Sequence, residues 1–338
     1  MTTEQPLPVT PERIMQMTWG FAPPLILEAA VTNGVFDVLD KSPCTLDELA
    51  RQTKAHLRGL RAICNALVGL QFLARDGEKY TLTPESSAFL VSSKPAFAGG
   101  LLHHVSRQLV APWLGLADLV RTGISPRHVE RENEGAEFFA KFVEDIFNMS
   151  AGAAGVLGES IADRLSRPTK VLDIAAGSGV WGIMLAKKGP TVSVTTVDWP
   201  TVTTVTRRIV ARHGLTNQFS HIEGDLHDVA FGGGFNIATL GHILHSEGPV
   251  KSQKLLKKVY ESLAPGGTIV IAEFVPNDDR QGPPMPLLFA VNMLVNTTDG
   301  DTFTMAEISG WLSAAGFKNI RTLDAHGPSP LVCADKPA

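Results

Sequence analysis

The chain has 338 residues, 44% apolar and 19% charged, with a formal net charge of −4; that length exceeds one ordinary core and that composition excludes bulk disorder. The charge excludes a global pull towards nucleic acid or anionic membrane, and Cys44, Cys64 and Cys333 are too scattered for a disulfide framework or a CxxC metal pair. The N-terminus "MTTEQPLPVTPER" lacks the basic start and apolar run of a signal peptide, and no stretch offers roughly 18 uninterrupted apolar residues, so the expectation is a soluble, cytoplasmic chain with no membrane or nucleic-acid partner.

Residues 1–11 are polar and proline-containing and are expected as a flexible tail or an exchanged arm. A first domain over 12–160 is predicted to be mainly helical. "PLILEAAVTNGVFDVLD" spaces its apolar residues at helical intervals; "TLDELARQT" opens with Thr45 as N-cap and Glu48 as its capping-box partner; "HLRGLRAICNALVGLQFL" is a third amphipathic helix. "LARDGEKYTLT" then sets Asp76-Gly77 between short apolar runs, the sequence of a hairpin. Three helices and a hairpin make a winged-helix pattern, whose two readings are DNA recognition and a dimerisation platform. Only Arg58 and Arg61 on the third helix offer themselves to phosphates, where a groove reader wants a denser basic face, which favours the platform. A long apolar-striped run, "EGAEFFAKFVEDIFNMSAGAAGVLGESI", is expected as helix broken by glycines and leads to a boundary near Ile161.

From 161 to 338 the texture changes. Strands are predicted at 170–175, 192–197, 219–222, 235–240 and 268–274, with helices at 179–187, 201–213 and 250–263 between them, an alternation that argues a parallel sheet covered on both faces. The first strand–turn–helix, "VLDIAAGSGVWG", contains GxGxxG at Gly177, Gly179 and Gly182. Such a turn lets backbone N–H groups approach a ligand at a helix N-terminus, and Asp198 ends the next strand where a dinucleotide site places its ribose acid. Asp173, however, lies four residues before the first glycine. A carboxylate there disfavours a pyrophosphate and favours a cationic ligand.

The runs "VLDIAAGSG", "TTVDWP", "HIEGDLHD" and "SLAPGGTIVIAEF" resemble, in that order, the motifs of class I methyltransferases that use S-adenosylmethionine. The resemblance implies a Rossmann-like doubly wound α/β sheet. It also implies that the turn at Gly177 and Gly179 wraps the amino-acid part of the cofactor. Asp198, beside Trp199, then binds both ribose hydroxyls, and Asp225 and Leu226 lie beside the adenine. That cofactor carries a sulfonium and an ammonium but no phosphate, which gives Asp173 a purpose. With a winged-helix-like dimerisation domain in front, nearly the whole chain is similar to small-molecule O-methyltransferases related to plant caffeate and bacterial polyketide-tailoring enzymes, which implies a homodimer formed through the N-terminal domain.

Methyl transfer is an in-line displacement that needs alignment, a dry pocket and an acceptor with an exposed lone pair, and a largely protonated phenol gains from a nearby base. "LGHILHSEG" supplies His242 and His245 where such a sheet opens its crevice. His245 matches the family's catalytic histidine and is the candidate base, with helix capping as its other reading; His242 suits the crevice wall or the core. Glu273 matches the carboxylate that orients the histidine, or is a solvent-facing strand end. Three departures stand out: "HSE" replaces the family's "HDW", Gly241 replaces a lysine, and Thr302 falls where a second orienting glutamate belongs, leaving Asp301 as a substitute. The acceptor atom is therefore open among oxygen, sulfur, carbon and nitrogen. Trp113, Phe147, Met149, Phe289 and Met293 are the large apolar candidates for an acceptor pocket expected between the domains, each with ordinary core packing as its alternative. No metal is called for. A nicotinamide oxidoreductase would want a hydride-placing residue near the motifs, and the tyrosines, Tyr80 and Tyr260, lie elsewhere; a ligand-sensing winged-helix regulator is the non-enzyme alternative.

Overall fold

The computed structural model describes residues 9–325, 327 and 330–338, so residues 1–8 of the expected tail lie outside the described residues. The chain divides between Val110 and Ala111 into two compact units.

In the first unit the strands β1 (Cys44–Thr45), β2 (Leu73–Asp76) and β3 (Lys79–Leu82) form a sheet of order β1-β3-β2 beside helices that include Ala22–Thr32, Val35–Lys41, Leu46–Thr53 and Leu57–Gly69. The capping box is present: Thr45 Oγ1 accepts from Glu48 N, and Glu48 Oε2 accepts from Thr45 N at 2.8 Å. Gly77, at φ 57°, takes the first place of the two-residue hairpin turn, a conformation that costs glycine little. The expected single run before Asp40 is two helices, because the chain turns left-handed at Gly34, φ 68°. Phe36, Leu49, Leu60, Cys64, Leu67 and Tyr80 close the core of this unit.

The second unit is built on β4 (Thr169–Ile174), β5 (Val192–Asp198), β6 (Phe219–Glu223), β7 (Phe235–Gly241), β8 (Leu263–Ala272), β9 (Lys318–Leu323) and β10 (Leu331–Asp335), in the order β6-β5-β4-β7-β8-β10-β9. β6, β5, β4, β7 and β8 pair in parallel, and β4, β7 and β8 are buried at most of their positions because both faces are covered. The sheet is mixed rather than parallel throughout: β10 inserts antiparallel between β8 and β9. The expected boundary near Ile161 falls inside this unit. Helix Phe147–Ser160 packs on the helix Val180–Ala186 and the turn after it, where Gly155 and Gly158 let Met184 and Lys188 approach. Those glycines sit within the helix, and the break in the long run comes at 143–146 instead. Among the described residues no single helix is long and apolar enough to cross a membrane.

Candidate active site

The carboxyl ends of β4, β5, β7 and β8 and the turns that leave them gather most of the residues singled out in the sequence. Asp173, on β4, is fully buried: Oδ1 accepts from Thr239 Oγ1 at 2.7 Å and Oδ2 from Gly182 N at 3.0 Å. It therefore ties the sheet to the first turn of helix Val180–Ala186 and does not face an open cleft. A Cβ on Gly182 would come within 2.7 Å of Val194 Cγ1 and 3.1 Å of Asp173 Oδ2, so the third glycine is required by packing. Gly177 and Gly179 adopt φ 55° and 74°, and Thr206 Oγ1 fastens the turn from outside by donating to Gly177 O at 2.6 Å.

Asp198 closes onto the same turn. Its Oδ2 accepts from Gly177 N and its Oδ1 from Trp199 N, both at 2.8 Å, which leaves acceptor capacity, since a carboxylate carries about four lone-pair sites. Burial pushes the carboxyl of Asp173 up to about 7 and that of Asp198 up to about 6, against the hydrogen bonds that pull each down. Trp199 packs on helix Glu132–Phe142, with its ring 6.2 Å from that of Phe139 and against Gly135, where a Cβ would come within 2.6 Å of it. Asp225 and Leu226 form the loop after β6; Asp225 Oδ1 accepts from His227 N at 2.8 Å, and Leu226 leans on the main core.

On the other side of β4, β7 leads into His242 and then into the helix that starts at Leu244. Glu273, directly after β8 and 4% exposed, receives Leu244 N at 2.7 Å and His245 N at 3.3 Å on Oε1, and His245 Nδ1 at 2.7 Å on Oε2. One carboxylate thus caps the helix at Leu244 and orients the imidazole, and His245 lies inside that first turn, ahead of the kink at Gly248. Burial raises Glu273, but the facing His245, by charge and hydrogen bond, and His242 more than offset it and hold the carboxyl below its ordinary value. With Nδ1–H given to Glu273, Nε2 is left to accept a proton. His242 takes φ 62°, donates its N–H to Ala272 O at 2.8 Å, and keeps a buried Nδ1 without a hydrogen-bond partner. Burial drives this imidazole down to about 4, so it is neutral. His242, His245 and Glu273 set one ligating atom each within 4.8 Å, and Glu273 already accepts three hydrogen bonds.

Asp301 is a correction. Its carboxylate accepts from Thr302 N at 2.7 Å and faces Arg280 Nη1 at 3.8 Å, while its backbone N–H donates to His245 O at 2.9 Å. It fixes the main chain of the base, and it makes no side-chain hydrogen bond to the ring. The apolar candidates divide. Phe289 meets His245 edge-on, ring centroids 4.9 Å apart, and Met293 is buried one turn further along helix Pro284–Asn296. Trp113 Nε1 donates to Asn292 Oδ1 of that helix at 3.1 Å. Phe147 instead stacks on His213 at 5.4 Å, past the far end of helix Pro200–Arg212, and Met149 is 52% exposed; neither reaches the histidine. Sequence reasoning missed Thr239, a polar residue inside an apolar strand, and Phe274, which packs between His242 at 5.0 Å and Phe289 at 4.3 Å.

A glycine turn cradled by a ribose-spaced acid, beside an oriented histidine on one sheet edge, defines a Rossmann-like methyltransferase. Residues 121–318 match the O-methyltransferase domain and residues 15–92 the O-methyltransferase dimerisation domain; the chain belongs to the S-adenosylmethionine-dependent O-methyltransferase family. It is 28% identical to the tetracenomycin polyketide synthesis 8-O-methyl transferase TcmO of Streptomyces glaucescens, over 97% of each chain. It is 29% identical to the acetylserotonin O-methyltransferase of Gallus gallus, over 92% of this chain and 93% of that one. Human N-acetylserotonin methyltransferase in complex with S-adenosylmethionine shares the fold, with a TM-score of 0.84 at 23% identity, over 99% of this chain and 100% of that chain.

Proposed function

We propose that the enzyme methylates a hydroxyl of a small, flat aromatic molecule, with His245 as the general base and Glu273 as its orienting carboxylate. The observation that carries this reading is the 2.7 Å contact between His245 Nδ1 and Glu273 Oε2 in a buried setting. Bound S-adenosylmethionine supplies a methyl group activated by its sulfonium. Asp198 and the Gly177 turn bind its ribose and amino-acid portions, Asp225 and Leu226 take the adenine, and the buried charge of Asp173 favours the cationic end. His245 Nε2 receives the hydroxyl proton as the oxygen attacks, and Glu273 stabilises the imidazolium that forms. Phe289, Phe274 and Met293 present apolar surface to a ring and exclude water. Among the described residues, His242 Nδ1 and Asn296 Oδ1 are buried without hydrogen-bond partners, which suits an acceptor molecule that brings polar groups of its own. The similarity to the tetracenomycin polyketide synthesis 8-O-methyl transferase and to the acetylserotonin O-methyltransferase supports the same class of acceptor.

The protein acts as a cytoplasmic homodimer, without nucleic acid or membrane, in this reading. Helix Glu12–Thr18 buries none of its residues, and Ile14, Met15, Met17, Trp19 and Phe21 are 60–71% exposed, an apolar surface that a second winged-helix-like domain would cover. Light scattering should give twice the 36.2 kDa of the chain; a monomer at micromolar concentration contradicts it. The test of the activity is methyl transfer from labelled S-adenosylmethionine across phenols, ring carbons, amines and thiols. Phenols should lead, and turnover confined to a thiol or an amine refutes the assignment of oxygen.

A further inference from the structure

In the "HSE" run, Glu247 stands where the resemblance places tryptophan, and it is 6% exposed. A carboxylate so buried needs a partner, since removing the ion from water costs several kcal/mol unless it is paired. The partner is His227, whose Nε2 bonds Glu247 Oε2 from the loop after β6. His227 is held at three points: ring to Glu247, backbone N–H to Asp225 Oδ1 at 2.8 Å, and carbonyl from Lys258 Nζ at 3.0 Å. Lys258 also donates to Leu226 O at 2.7 Å, and the amides of Asp228 and Val229 close on Asp225 O at 3.0 Å. Most of these bonds fall on Asp225 and Leu226, and the helix Leu244–Ser262 reaches the loop twice, through Lys258 beyond its kink at Gly248 and through Glu247, two residues from His245, on the His227 ring.

We propose that His227 and Glu247 are a positioning pair that holds the adenine side of the cofactor pocket in binding geometry. An apolar pair of similar size would stabilise the fold as well or better; what the hydrogen-bonded pair adds is a directed bond that fixes the loop's main chain. Glu247 is anchored on its own side by the left-handed Gly248, φ 71°, where a Cβ would meet Asp299 O at 2.6 Å. The inference rests on the reading that Asp225 and Leu226 face the adenine.

The test is calorimetric binding of S-adenosylhomocysteine and of 5′-methylthioadenosine, which keeps the adenine and drops the amino-acid end. It uses the full-length wild type, His227→Ala, Glu247→Ala, the double variant, Glu247→Gln and Asp225→Ala. Each single substitution in the pair should weaken both ligands about 10-fold, as loss of a charged hydrogen bond does. The double variant should be about as weak as either single, because the two act through one contact. Glu247→Gln, which still accepts the Nε2 proton and preserves the fold, should recover most of the loss, and the KM for the methyl acceptor should stay unchanged. If Asp225→Ala weakens binding while the pair variants do not, or if the two pair losses add, the proposal is overturned. If Asp225→Ala is itself without effect, the adenine reading fails and the proposal with it.

Discussion

The two sides of the candidate site treat buried carboxylates in opposite ways. On the cofactor side, the buried Asp173 and the half-buried Asp198 have hydrogen-bond donors but, among the described residues, no cation beside them, and desolvation pushes them up to about 7 and about 6. On the acceptor side, Glu273 is as deeply placed yet lies below its ordinary value, because His245 sits on it. The difference is one of completeness. In the proposed function the acceptor side is a finished proton-accepting pair that needs only a hydroxyl, whereas the cofactor side is an electrostatic deficit that a cationic ligand would fill.

The largest effect should come from breaking the finished side. His245→Ala is expected to lower turnover by about 100-fold or more with S-adenosylmethionine affinity nearly unchanged, measured by steady-state kinetics beside calorimetry. Glu273→Gln, whose one carbonyl oxygen cannot serve both the Leu244 and His245 amides and Nδ1–H and which loses the charge behind the imidazolium, should reproduce part of that loss, at least about 10-fold, in the same assay.

On the deficient side, Asp198→Ala should leave turnover at saturating cofactor largely intact and weaken binding. Two hydrogen bonds to a charged group are worth on the order of 3 kcal/mol. An unchanged calorimetric affinity would remove Asp198 from the cofactor site.

A smaller effect sharpens the contrast through pH. Asp173 and Asp198 are raised in the ligand-free fold, so each contributes to stability while protonated, and that contribution is lost as pH rises from the unfolded value through about 6 and about 7. A cationic cofactor prefers the ionised forms. S-adenosylmethionine affinity should therefore rise several-fold between pH 5.5 and 7.5 and then level, with proton release on binding; calorimetry in buffers of different ionisation enthalpy measures both. A flat profile contradicts the deficit.

The smallest effect belongs to Asp301→Asn. Its carboxylate faces Arg280 rather than the ring, so turnover should stay within about 2-fold of wild type. A loss matching that of Glu273→Gln would restore Asp301 as a second orienting acid.

The sequence made the cofactor side legible because its signals are local: three glycines, an acid on the strand before them and another at the end of the next strand. Glu273 was legible through the resemblance, as a strand-end acid matching the carboxylate that orients the histidine. Orientation was not. Asp173 was expected to face a ligand, and it turns inward to Thr239 and Gly182, a choice made by packing between β4, β7 and a helix that no single segment encodes. Phe147 has the chemistry of a pocket wall but goes to His213, since helix Phe147–Ser160 carries it along the flank of the sheet. The antiparallel insertion of β10 was missed because β9, "KNIRTL", is largely exposed and carries little apolar pattern, and β10 finds its place by pairing with it and with β8. His227 and Glu247 are 20 residues apart, one on the loop after β6 and the other in the first turn of the helix that starts at Leu244, and one departure from a motif was the only trace they left.

The most direct test of the central claim, that His245 with Glu273 takes the acceptor proton, is the turnover of His245→Ala against pH on the best phenol from the screen. The account predicts a deficit of about 100-fold at neutral pH that shrinks as pH approaches the phenol's own pKa, about 10 for a simple phenol, because the phenolate then forms without a base. Near-wild-type turnover at pH 7, or a deficit constant across the range, would contradict it and leave His245 a positioning residue.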